Sequence, residues 1–362
     1  MKARELGWLS MAATVALCGF SAGAAELHEI YVDFAVKADV DPVLDGKLDD
    51  PVWQKAVVHD RFYEYFKPRP NVSPLKSEMR LLYTDKALWM GLTHFEDHPE
   101  KLKVLSTVRD GVSWWEDMDE IYIDPFGEAV GYTKLLVNSA GVIGDRRRID
   151  GSVVLWEWSG DAWRAKTHVY DDRWTVELCL PYSDLQMPPV PGKSLWRLCV
   201  TRYQWTTGKF VGNTSSPGGN NKDTSAFGYL AFLLPGQRPD AEGVVKALGG
   251  NVAAPWCTEI GGKLVFDFGD GVRIESLEKL VAEKRCETDE AFAKEWDAVQ
   301  SLRSSSSDSP LHSEYEKRKA EWAVTRNGGS TLSDYRAAED ALAEIKRFSW
   351  KLKLEVEFGG GK

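Results

Sequence analysis

Between Ile30 and Leu234 apolar residues recur mostly at every second position, the period of a strand with one face on a core. Ile30, Val32 and Phe34 open the series, and 26–38 reads as an edge strand. Met79, Leu81 and Tyr83, a turn at Asp85-Lys86, then Leu88, Met90 and Leu92 predict a hairpin. Ile121 and Ile123 alternate with Glu120, Tyr122 and Asp124. Strands follow at 134–138, once or twice within 156–169, at 174–180, at 196–200 and at 227–234. Asp45-Gly46 reads as a turn, and Asp50 as the cap of a short helix with Pro51 in its first turn and Trp53 folded onto the core. Many short strands with few helices between them predict a mainly β fold, an antiparallel β-sandwich of jelly-roll or immunoglobulin-like type.

The pattern changes after Pro235. Gly236 to Pro239 is linker-like, and Leu264, Phe266 and Phe268 before Gly269-Asp270-Gly271 signal a hairpin. Helical spacing then takes over at Leu277, Leu280 and Val281, at Phe292, Trp296 and Val299, and at Tyr335, Ala338, Leu342 and Ile345. Trp350, Leu352, Leu354, Val356 and Phe358 alternate with charged residues and predict a terminal strand. The chain therefore divides into a sandwich at 26–235 and an α+β, largely helical extension at 236–362 ending in a strand. The extension is a candidate surface for a protein partner.

Residues 1–25 have the charged start, apolar run and small-residue Ala22-Gly23-Ala24 site of a secretory signal, which predicts export to the periplasm or the extracellular space. No later apolar run is long enough to span a membrane. A net charge of -10 without a basic tract argues against nucleic acid as a partner. Export opens disulfide chemistry to Cys179, Cys199, Cys257 and Cys286. The pairing 179–199 with 257–286 and four free thiols are equally compatible with the sequence.

Candidate chemistry concentrates in Trp114-Trp115-Glu116-Asp117-Met118-Asp119-Glu120. Flat aromatic faces accept the C–H side of a pyranose, and carboxylates accept its hydroxyls. On an extended chain adjacent tryptophans face opposite ways, so one is expected in the core and the other at the ligand. Arg202 and Trp205, at the end of a strand, are candidates to complete the pocket.

Three ordered motifs carry a resemblance. Asp45-Gly46-x-x-Asp49-Asp50-Pro51-x-Trp53 comes first, and Arg80-Leu81-Leu82-Tyr83-Thr84-Asp85-Lys86-Ala87-Leu88-Trp89 second. Asp117-x-x-Glu120-Ile121-Tyr122-Ile123-Asp124-Pro125 is the third. With Trp174-Thr175-Val176-Glu177, Pro181-Tyr182-Ser183-Asp184 and Phe227-Gly228, they make residues 30–234 resemble family 9 carbohydrate-binding modules and their relatives. The resemblance implies a β-sandwich, a sugar held in a slot between two tryptophans, often bound calcium, and association with glycoside hydrolases. Its ligand would be a mono- or oligosaccharide or a polysaccharide end. Trp114 and Glu120 match the first stacking tryptophan and the hydroxyl-binding glutamate, with Asp117 between them. The second tryptophan is missing where the chain reads Gly218-Gly219-Asn220-Asn221. Asn221 is a candidate contact there, and Trp205, Trp156 or Trp158 are candidates to replace the missing face. The expected arginine and glutamine are Leu136 and Cys199. One ring supplies no more than about 1–3 kcal/mol, whereas micromolar binding needs about 8 kcal/mol.

A catalytic reading finds little. A glycosidase needs carboxylates roughly 5–9.5 Å apart, whereas Glu120 and Asp124 on one strand are about 13 Å apart. No Ser-His-Asp order or metal triad stands out. Asp39, Asp41, Asp45, Asp49 and Asp50 are calcium candidates without EF-hand spacing. His94 and His98 are weak metal candidates. A haem-binding relative, with Met118, Met79 or His94 as axial ligand, and a structural, partner-docking protein are the alternatives to a sugar-binding module.

Overall fold

The computed structural model describes residues 27–65, 71–149, 153–155, 158–186, 195–216, 223–248, 250–303 and 310–358. Most of the sandwich is one long sheet. Its order is Val153–Leu155, Ile143–Ile149, Tyr132–Asn138, Met118–Asp124, Leu195–Gln204, Gly228–Leu233, Val32–Lys37, Ser77–Tyr83, Ala87–Phe95, Arg173–Pro181 and Arg164–Val169. The short strands Val58–His59, Tyr63–Glu64 and Val211–Thr214 attach off this path. Ile121, Leu135 and Val200 from one part of the sheet share a core cluster with Met79, Met90 and Leu178 from another. The sheet therefore doubles back on itself as a sandwich. Trp163, Trp174 and Trp196 lie wholly inside this core.

Three local expectations change. Val32–Lys37 is an interior strand, paired in parallel with both Gly228–Leu233 and Ser77–Tyr83. Edge or interior position depends on which strands pair alongside, and the alternation of side chains between the two faces does not report it. Met118–Asp124 is likewise buried along its whole length, because Tyr122 packs with Tyr132, Cys199 and Phe227 on the face away from the main core. The Cys179–Cys199 pairing fails: four strands separate these residues in the sheet, and all four described cysteines are free thiols.

The first motif is a cap on the sheet edge. Gly46 turns at φ 90°, and a Cβ there would lie 2.7 Å from the Thr167 carbonyl carbon. Glu177 holds the turn, accepting from the Asp45 and Gly46 amides and from Trp53 Nε1. Pro51–Lys55 is a short 3-10 helix. Asp50 does not cap it with its side chain, which accepts from the Val43 amide instead.

The extension shares a core with the sandwich. α1 (Ala241–Leu248) lays Ala241, Val244 and Leu248 against Phe34, Tyr229 and Leu233. His28–Glu29 pairs in parallel with Trp256–Ile260, which continues into Lys263–Asp267 and Val272–Ser276. α2 (Leu277–Arg303), α3 (Pro310–Thr325) and α4 (Leu332–Phe358) pack together through Phe292, Val299, Tyr315, Trp322, Leu342 and Phe348. α3 went unread in the sequence, although Leu311, Tyr315 and Trp322 carry a helical spacing. The expected terminal strand is the end of α4. The buried face Ala338, Leu342, Ile345 runs on in register to Phe348 and Leu352. That long 3.6-residue period overrides the local alternation and leaves Trp350 and Leu354 exposed. No helix among the described residues is long and apolar enough to cross a membrane.

Candidate functional site

The segment from Leu102 to Asp117 leads into the Met118–Asp124 strand, and buried acids fold it. Glu116 is fully buried. It accepts from the Leu105, Ser106 and Ser113 amides and from Asn138 Nδ2 at 2.9–3.1 Å. Asp117, also fully buried, accepts from the Lys103 amide at 2.7 Å and the Trp205 amide at 2.9 Å. Buried carboxylates are tolerated only when paired this fully. Burial pushes Asp117 above the usual aspartate range, while these two amides and Arg202 pull it back. The acids that looked like hydroxyl acceptors thus organise a loop, and the loop presents the tryptophans.

Trp114 and Trp115 sit in a turn rather than an extended strand. They do not diverge. Their rings stack at 3.8 Å between centroids and 30° between planes, and they stay 47% and 48% exposed. Trp205 joins them, with its ring 5.5 Å from Trp115 and its Nε1 donating to the Trp114 carbonyl at 3.0 Å. Lys103 Nζ lies 4.5 Å above the Trp205 ring, a cation on an aromatic face. Phe210 continues the row at 5.7 Å from Trp205. Rings in van der Waals contact leave no gap for a ligand between them. Among the described residues, the two-tryptophan slot is therefore replaced by a one-sided platform. Trp158 does not complete it, being occupied beneath the Arg147 guanidinium.

Glu120, Arg202 and Asp117 are withdrawn from the surface. Glu120 accepts from Tyr203 and Tyr122 hydroxyls and pairs with Lys134. Arg202, without any exposed surface, donates to the Lys76 and Phe95 carbonyls and to Glu96. Burial pushes its pKa down to about 10. It braces the sandwich and does not complete a pocket, because its guanidinium is spent inside. Asn221 and Trp156 lie outside the described residues. Phe210 was missed by the sequence reading; its only signal there is its place five residues after Trp205.

A serine–histidine–aspartate line does exist. His94 Nδ1 is 3.0 Å from Ser77 Oγ, and Nε2 is 2.9 Å from Asp119 Oδ2. These partners fix a neutral ring that accepts from Ser77 and donates to Asp119. Ser77, His94 and Asp119 are 2%, 0% and 0% exposed, so no substrate reaches the hydroxyl. Burial holds the His94 pKa below its usual value, against the pull of Asp119, while Arg202 adds to the depression and Glu96 opposes it. The unfolded chain therefore binds the proton first. His94 contributes its full stability above the ordinary histidine pKa of about 6.5, and that contribution is lost as pH falls below it. His94→Gln should flatten the decline in urea-unfolding stability between about pH 6.5 and 5. An unchanged slope in the variant would remove His94 as its source.

Haem ligation finds no open ligand. Met79 and Met118 are core residues with no exposed surface, and His94 is engaged. Among the described residues no three or more His, Cys, Asp or Glu side chains converge as a metal site. Asp124, the other acid of the strand, accepts from the Phe126, Gly127 and Ala129 amides and closes a turn.

No family model and no curated protein matches the chain. Solved structures do. A family 9 carbohydrate-binding module from Caldicellulosiruptor kristjanssonii in complex with glucose aligns with 57% of this chain and 98% of its own, at 15% identity and a TM-score of 0.41. A family 9 module from the same organism in complex with cellotriose covers 57% and 100%, at 14% identity and 0.40. A candidate carbohydrate-binding protein from Bacteroides uniformis covers 57% and 100%, at 12% identity and 0.47.

Proposed function

We propose that this chain is a non-catalytic carbohydrate-binding protein whose ligand lies on the Trp114–Trp115–Trp205 platform. The observation that carries the reading is the exposure of two stacked indoles on a loop held by two fully buried carboxylates. Exposing two tryptophans is costly in water, and fixing them with buried charge is costlier still. A sugar with apolar C–H faces suits such a rigid, flat surface. The ordered motifs shared with family 9 modules support the same reading. The signal-like residues 1–25 support export, and so a role at extracellular polysaccharide alongside glycoside hydrolases.

A one-sided platform implies modest affinity. A dissociation constant of about 0.1–1 mM, or about 4–5.5 kcal/mol, is expected. Isothermal titration of the wild type and of Trp114→Ala with a panel of neutral oligosaccharides tests this. Heat from the wild type should fall at least tenfold in affinity in Trp114→Ala. Equal affinities would place the sugar elsewhere, and no heat from a folded wild type would reject the function.

A further inference from the structure

The platform does not end at Trp205. Phe210 follows at 5.7 Å between centroids, and Tyr65 follows Phe210 at 6.4 Å. All five residues, from Trp114 to Tyr65, keep part of their surface exposed. They come from three separate segments: the loop before Met118, the turn after Gln204, and the end of the Tyr63–Glu64 strand. Their alignment needs a bare backbone beneath it. A Cβ on Gly212 would lie 2.9 Å from the Phe210 ring and 3.2 Å from Tyr65 Cβ. Phe210 and Tyr65 pack inward on Val112, Met118, Leu136 and Tyr203. Hydroxyls lie along the inner end of the row, with those of Tyr203 and Tyr65 3.4 Å apart, and the Lys103 ammonium sits over Trp205.

A slot closed by two facing rings grips one terminal sugar. An open row of rings offers successive stacking positions and no wall at which a chain must stop. Resting on the sugar-binding reading above, we infer that the site takes an internal stretch of a neutral glycan chain. Successive sugars would lie from Trp114 past Trp205 to Phe210, with Phe210 and Tyr65 as the distal contacts that select for chain length.

The test uses the full chain and β-1,4-linked glucose oligomers from glucose to cellohexaose, with borohydride-reduced cellohexaose as the end-blocked probe. Affinity should rise about tenfold or more from disaccharide to tetrasaccharide. Reduction of the end should leave cellohexaose binding within twofold. Phe210→Leu, which keeps apolar volume over the inner cluster but removes the ring, should erase the gain with length, so that cellotetraose and cellohexaose bind the variant no more tightly than cellobiose binds it. Affinity that is flat with length, or lost on reduction, would overturn the inference while leaving sugar binding intact. A gain with length that survives in Phe210→Leu would overturn the role of the distal rings. A folded protein that binds none of these oligomers would overturn the inference. The sugar-binding reading would then be judged by its own wider panel.

Discussion

Glu116→Ala should be the most damaging single change at the platform, although Glu116 never meets solvent. The carboxylate gathers three backbone amides and the Asn138 amide. Alanine leaves the three amides without this acceptor, and Asn138 keeps only the Ser106 carbonyl. Hydrogen bonds to a charged group are worth about 1.5–3 kcal/mol each, and unsatisfied buried donors cost about 1–3 kcal/mol. The effects do not add fully, because the loop can open to water, so a loss of about 4 kcal/mol is expected. Urea unfolding measures the loss. Near-ultraviolet circular dichroism reports whether the coupling of the stacked Trp114 and Trp115 rings disappears with it. Glu116→Gln keeps one acceptor and should cost roughly half as much. A stable Glu116→Ala protein with an unchanged indole signal would mean that the loop holds itself.

Arg202→Ala comes second. Arg202 is the charge partner of Glu96, which also accepts from Gln204 Nε2 and Thr206 Oγ1. Removing the guanidinium strands a buried carboxylate, which costs about 3–5 kcal/mol. Arg202→Lys should recover little, because one ammonium cannot reach the Lys76 and Phe95 carbonyls and Glu96 with the planar fork that they surround. Both variants should lose thermal stability while keeping their sugar affinity below the transition. Weakened sugar binding in a folded Arg202→Lys protein would restore Arg202 to the site.

The strands of the sandwich were legible because each buries one face on the common core, and a period of two survives in Met79–Tyr83 and Leu88–Leu92. What was not legible depended on neighbours. Val32–Lys37 looks like an edge strand until Gly228–Leu233 is seen beside it. The α4 terminus looks like a strand until the helical face that begins at Tyr335 is followed to Leu352. At the candidate site, the sequence singled out Trp114, Trp115 and Trp205, whose rings the structure brings together, but it took the neighbouring acids for surface groups. An aspartate beside a tryptophan reads the same whether it faces a sugar or a backbone amide. Only burial separates the two, and for Glu116 and Asp117 the burial is complete. Arg202 failed in the same way. The stacking of adjacent indoles was hidden because the strand period was carried one turn too far.

The most direct measurement is fluorine NMR of protein made with 5-fluorotryptophan, titrated with an oligosaccharide or soluble polysaccharide. The indoles of Trp114, Trp115 and Trp205 should shift on binding, assigned by single substitution to phenylalanine. The buried Trp53, Trp163, Trp174 and Trp196 and the exposed Trp350 of α4 should stay where they are. Shifts confined to Trp350 or to other indoles, with the three platform signals unmoved at saturation, would contradict the account.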